Sequence, residues 1–229
     1  MTRTLKTARR GPPTGQGRRM VVFLHGYGAD GGDLLGLAEP LAPHLPDTVF
    51  LAPDAPEQSV ANPSGFQWFP IPWIDGSSEA AAQAGLMRAA DDLNAWLDLA
   101  LGAEGIGPEN TVLFGFSQGA MMALHIAPRR AQAVAGVVAV SGRLLAPEHL
   151  GAEARSKPPV LLMHGDRDDV VPPQSLNEAK AALDGAGFEV YAHVMAGMGH
   201  GIAPDGLGVA LSFMREAFGL GGYGGTARD

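Results

Sequence analysis

Six short apolar runs, separated by stretches with helical periodicity, constrain this chain more than any other feature. The runs are Met20–His25, Thr48–Ala52, Thr111–Gly115, Val134–Ser141, Val160–His164 and Phe188–Val194. Each is too short for a helix, and most are continuously apolar, the pattern of a parallel strand covered on both faces. Helices are expected near 33–43, 79–101, 118–128, 174–186 and 206–218. The clearest is 79–101, where Leu86, Ala90, Leu93, Trp96 or Leu97, and Ala100 or Leu101 recur at intervals of three and four. Ser77 or Ser78 can cap its start and Gly102 can end it. Strands alternating with helices imply βαβ units and a mainly parallel central sheet with helices on both faces, an α/β fold.

A chain of 229 residues with 46% apolar content is sufficient for one domain with a sizeable core. No repeat, linker or second domain interrupts residues 20–218, and the Gly-rich stretch 219–229 is expected to be a flexible tail. The absence of cysteine excludes disulfides, thiolate metal sites and a cysteine nucleophile. The net charge of −8 is unevenly placed: residues 1–19 hold six basic groups and no acid, and the remainder has ten basic against 24 acidic. An acidic body disfavours nucleic acid as a partner. The basic segment 1–19 reads as a solvated arm or an edge segment. The first apolar run, Met20–Leu24, is too short for the core of a signal peptide, and none approaches the ~20 residues of a membrane span. The chain is therefore expected to be cytoplasmic, with no stable membrane insertion.

Gly115-Phe116-Ser117-Gln118-Gly119 matches G-x-S-x-G. That motif places a serine at the apex of a sharp strand-to-helix turn, with small residues on either side so that the chain can pack closely. The context agrees: Thr111–Phe114 reads as a buried strand, and 120–127 reads as a helix closed by Pro128. Ser117 is the candidate nucleophile. A serine hydroxyl needs an adjacent base, and on this fold the acid and then the histidine follow on loops after later strands. The first such loop is Gly165-Asp166-Arg167-Asp168-Asp169, where chemistry alone does not choose among three aspartates. The second is Gly197-Met198-Gly199-His200-Gly201-Ile202, directly after the last strand, which makes His200 the candidate base. The other six histidines lack such a setting, and His25 and His164 are expected to satisfy local backbone groups. After the first long strand, His25-Gly26-Tyr27-Gly28 is placed to form an oxyanion hole, with donors from the backbone N–H groups of Tyr27 and Gln118.

Together these stretches resemble the phospholipase/carboxylesterase family, which includes acyl-protein thioesterases and small bacterial carboxylesterases. The matching segments are His25–Asp30 with Asp33-Leu34, Gln67-Trp68-Phe69, Gly115–Ala120, His164–Asp168 through Pro172, and Gly199–Ile202, in the family's order. The resemblance implies an α/β-hydrolase fold with little or no lid. It selects the second aspartate of H-G-D-x-D, Asp168, as the acid. It further implies a serine carboxylesterase acting on short- to medium-chain esters or thioesters, with lysophospholipase or acyl-protein thioesterase activity as the alternative. No metal or cofactor is implied, and family members are often dimeric. A protein that keeps the fold without catalysis is the remote alternative. Trp68-Phe69-Pro70-Ile71-Pro72-Trp73-Ile74 departs from the family pattern in its prolines and Trp73. The resemblance sets this loop beside the acyl site, so Trp68 and Phe69 are the candidate substrate contacts; the other reading is that the tryptophans cover the core.

Overall fold

The structure, a computed structural model, describes residues 2–221; beyond Gly221 the expected tail lies outside the described residues. In chain order the elements are β1 (Thr7–Arg10), β2 (Arg19–Leu24), α1 (Gly31–Leu35), α2 (Ala38–Leu41), β3 (Thr48–Pro53), β4 (Glu57–Gln58), β5 (Phe66–Gln67), α3 (Pro72–Asp75) and α4 (Glu79–Glu104). They continue with β6 (Thr111–Phe116), α5 (Gln118–Arg129), β7 (Gly136–Val140), α6 (Pro147–Glu153), β8 (Val160–Gly165), α7 (Gln174–Gly185), β9 (Val190–Met195) and α8 (Pro204–Ala217). Seven strands form one sheet in the order β1-β3-β2-β6-β7-β8-β9, parallel throughout except for β1. A small hairpin, β4–β5, stands apart.

Because side chains alternate across a strand, each apolar run feeds two cores. Val21, Phe23, Phe50, Val112, Phe114, Val138, Leu161 and Met163 pack with residues of α1, α2 and α8 on one face. Met20, Val22, Leu24, Leu51, Leu113, Val137, Val160 and Leu162 pack with α4, α5 and α7 on the other. Phe23 stacks on Phe50 at 6.0 Å and meets Phe114 edge-on at 5.4 Å, closing the first face at the sheet centre. These continuous apolar runs are what a sheet covered on both sides requires. Among the described residues, no helix is long and apolar enough to cross a membrane.

Two local expectations need correction, and one open alternative is decided. The helix expected over 33–43 is broken into α1, α2 and a short 3₁₀ turn, Ala42–His44. Gly36 weakens it, and Pro40 and Pro43 remove amide donors that a longer helix would use. Gly102 does not end α4; the helix runs to Glu104 and stops at Gly105, whose φ of 66° is the left-handed cap glycine tolerates. The basic segment, read as a solvated arm or an edge segment, supplies an edge strand. Residues 7–10 pair antiparallel with β3 as an edge strand, and the charges find partners on the body. Arg3 reaches buried Asp92 at 2.7 Å, and Arg9 reaches buried Glu104 at 2.8 Å. Charged side chains on an edge strand also discourage further strand pairing.

One buried group gives a stability prediction. His125 on α5 is driven from 6.5 to about 4 by burial, with the Arg129 charge adding to the effect. Its Nδ1 is buried and has no hydrogen-bond partner among the described residues. The unfolded chain therefore takes up this proton at a higher pH than the folded one, so stability should fall as pH drops from about 6.5 towards 4. The full effect is at most about 3 kcal/mol. Urea unfolding at several pH values should show a shallower slope for His125→Leu. A residual slope is expected from His25, whose pKa burial also lowers. An identical slope in the variant would count against this assignment.

Candidate active site

Ser117 stands between the end of β6 and the start of α5, with φ 53° and ψ −117°. A non-glycine residue held there is strained by roughly 1–3 kcal/mol and persists only because its surroundings fix it. The Ser117 N–H donates to the Val140 carbonyl, and its own carbonyl accepts from Met121 N–H. Gly119 permits the turn to sit against the sheet: a Cβ there would lie 1.9 Å from the Leu24 carbonyl oxygen. The serine therefore projects above the sheet at the C-terminal ends of the parallel strands.

Two further loops meet it. His200 Nε2 lies 3.0 Å from Ser117 Oγ, and His200 Nδ1 lies 2.8 Å from Asp168 Oδ2. The Asp168 side chain has 0% exposure. Its other oxygen, Oδ1, accepts from the Val170 and Val171 N–H groups at 3.0 and 2.9 Å. Burial pushes this carboxyl up, but the His200 hydrogen bond and the Val171 and Val170 amides outweigh it and hold the pKa below the ordinary value. An ionised Asp168 fixes the proton of neutral His200 on Nδ1, leaving Nε2 to accept from the serine hydroxyl. The Phe116 ring packs 4.9 Å from the imidazole and steadies its plane.

The three aspartates that sequence chemistry left equivalent differ sharply in place. Asp168 faces the imidazole. Asp166 accepts from the Gly197 N–H at 2.7 Å and so ties the acid loop to the base loop. Asp169 is exposed. His164 bonds to the backbone, with Nε2 2.9 Å from the Val171 carbonyl, but the same nitrogen lies 3.2 Å from Asp168 Oδ2. Both neighbours are acceptors, so Nε2 carries the proton and a second imidazole borders the carboxylate.

The loop after β2 is built as firmly. His25 Nδ1 donates to the Gly26 carbonyl at 2.7 Å, while its Nε2 accepts from Ala55 N–H at 2.9 Å. Gly28 N–H donates to the Phe66 carbonyl, which assigns that amide elsewhere. A Cβ on Gly26 would sit 3.3 Å from Ser117 Cβ, so the loop lies directly beside the nucleophile position. Tyr27 follows Gly26 in this loop, and Gln118 is the first residue of α5.

Trp68, a candidate substrate contact, faces the core in this structure. It is fully buried, and its Nε1 donates to the His25 carbonyl at 2.9 Å, supporting the loop from behind. Phe69 instead lines a cavity of about 220 Å³ together with Ile71, Trp73, Leu86, Met121, Arg143 and Leu145. Met121 lies one helical turn beyond Ser117, so the cavity adjoins the serine without including it. Gln118 joins these parts: its Oε1 accepts from Trp68 N–H at 2.9 Å and its Nε2 donates to the Phe69 carbonyl at 2.7 Å. The sequence singled out Gln118 for its backbone amide and left its side chain to packing or substrate contact. The polar side chain inside an otherwise apolar helix start was the available signal. Among the described residues, no group of three or more His, Asp or Glu side chains is placed to hold a metal ion.

Known proteins share this arrangement of chain. The family model described as phospholipase/carboxylesterase matches residues 11–217. Acyl-protein thioesterase 1 of Saccharomyces cerevisiae is 30% identical over 216 residues, covering 87% of this chain and 93% of the yeast protein. Esterase YpfH of Escherichia coli is 27% identical, covering 89% of this chain and 84% of its own length. The crystal structure of esterase PE8 superimposes with a TM-score of 0.88 at 43% identity, covering 93% of this chain and 99% of that one.

Proposed function

This chain belongs to the phospholipase/carboxylesterase family of ester-hydrolysing enzymes with the α/β-hydrolase fold, and from that premise we propose that it is a serine carboxylesterase acting on short- to medium-chain acyl esters through an acyl-enzyme on Ser117. The observation that carries the reading is the His200 imidazole, 3.0 Å from a strained serine and 2.8 Å from a buried carboxylate.

Ser117 Oγ attacks the acyl carbonyl carbon as its proton passes to His200 Nε2. Asp168 keeps Nδ1 protonated and stabilises the imidazolium that forms. The carbonyl oxygen becomes anionic and is met by the Tyr27 and Gln118 amides, each such donor contributing about 3–4 kcal/mol to the transition state. Gln118 has two tasks, since its side chain also fixes the Phe69 carbonyl at the cavity edge. The tetrahedral intermediate collapses, His200 gives its proton to the leaving alcohol, and the acyl group stays on Ser117. Water, deprotonated by His200, then attacks the acyl-enzyme and releases the acid.

The cavity beside Met121 takes the acyl chain, with Phe69 and Leu86 as apolar contacts. At about 220 Å³ it is smaller than the roughly 300–1,000 Å³ of sites that bury drug-sized ligands, which favours short chains. Thioester hydrolysis at the same serine is a second reading, supported by the 30% identity with the yeast acyl-protein thioesterase. A fluorophosphonate probe is expected to label Ser117, located by peptide mass spectrometry, and to abolish hydrolysis of p-nitrophenyl butyrate. Full hydrolysis with Ser117 unlabelled would sink the reading.

A further inference from the structure

We propose that Arg143 makes the cavity beside Ser117 a reader of negative charge, so that the preferred substrates are half-esters of dicarboxylic acids, whose acyl chain ends in a second carboxylate. This rests on the assignment of that cavity to the acyl chain. The cavity wall is mostly apolar, with Phe69, Ile71, Leu86, Met121 and Leu145, and Arg143 is the cation in it. The arginines Arg3, Arg9, Arg129 and Arg130 each meet a carboxylate of the body. Arg143 has no such partner among the described residues.

The backbone gives this side chain a fixed origin. Ser141, at the exit of β7, is fully buried and held at φ 50°, a strained turn of the kind that collects at functional sites. Gly142 then passes so close to the nucleophile turn that a Cβ there would lie 2.6 Å from Ala120 Cβ and 3.0 Å from the Ser117 carbonyl oxygen. Arg143 follows directly. Arg143 is exposed, so its guanidinium can grip a carboxylate through two parallel hydrogen bonds while solvent and salt screen the attraction. A neutral acyl chain gains nothing from it. Glu79 lines the same cavity, at the first position of α4, where the helix N-terminus offsets part of its charge.

The test compares mono-p-nitrophenyl adipate with p-nitrophenyl hexanoate, which have acyl chains of equal length, after subtraction of spontaneous hydrolysis. The wild type is expected to favour the half-ester in kcat/KM by about two- to fivefold at low salt, and the ratio should decline as salt rises. Arg143→Gln should lower that ratio by about the same factor, mainly through KM, and Glu79→Gln should raise it. An ester with the carboxylate on its phenol, 4-carboxyphenyl hexanoate, should not depend on Arg143. An unchanged ratio in Arg143→Gln overturns the proposal, as does an Arg143 dependence confined to the phenol-side carboxylate. Hexanoate turnover that requires Ser117 but carries no half-ester preference overturns this proposal and leaves the esterase reading standing.

Discussion

Ser117→Ala is expected to lower kcat for p-nitrophenyl butyrate by about a million-fold, while the protein stays folded. The loss is large because the hydroxyl has no substitute: water in its place has neither the position beside the carbonyl nor the hydrogen bond to His200 Nε2. Some rate above the uncatalysed reaction should survive, since the Tyr27 and Gln118 amides remain. Stability should move little. The variant loses one hydrogen bond, worth about 0.5–1.5 kcal/mol, and keeps the same strained backbone. Ser117→Gly separates the two effects. Glycine accepts a φ of 53° without the usual penalty, so this variant should be as inactive as alanine yet melt at the same temperature or higher. Such a result would mean that strain is tolerated at this turn because the turn presents a hydroxyl. Wild-type turnover in either variant would remove Ser117 from the reaction.

The larger architecture was legible because it depends on patterns that the chain repeats. Parallel strands buried on both faces must be apolar throughout, and Val21, Phe23, Phe114 and Val138 announce this without tertiary information. The close approach of Ser117 and His200 was also legible, since the strand-to-helix turn needs glycine neighbours and the histidine loop follows the last strand. Other positions depend on what a side chain meets. Asp166, Asp168 and Asp169 carry the same group, and only the turn through Val170 and Val171 decides which is buried against the imidazole. Trp68 and Phe69 are adjacent aromatic residues in a loop without a period, so nothing local says that one faces the core and the other the cavity. The charges of the basic segment left a solvated arm and an edge segment equally open, and the partners that decide between them, β3 for the strand and Glu104 on α4 for Arg9, are distant in sequence.

Asp168→Asn is the second expected result, a fall in kcat of about ten-thousand-fold with the loops still in place. The amide that replaces the carboxylate has one acceptor and one donor end. The Val170 and Val171 N–H groups both point at the Oδ1 position and require the acceptor there. The NH₂ is therefore turned towards His200 Nδ1, which must become the acceptor. The imidazole proton then moves to Nε2, and the ring presents a donor to Ser117 where a base is needed. His164 makes the misfit worse, because its Nε2–H, 3.2 Å from Oδ2, would face another N–H. A modest drop in melting temperature should accompany the lost activity, consistent with about 1–3 kcal/mol for a buried donor left unmatched. Asp166→Asn is the control: it still offers an acceptor to the Gly197 N–H and should lose far less activity. Steady-state kinetics and thermal melts of the two variants side by side decide the matter. Equal activity in both would mean that the buried carboxylate, though bonded to the imidazole, does not serve the proposed reaction.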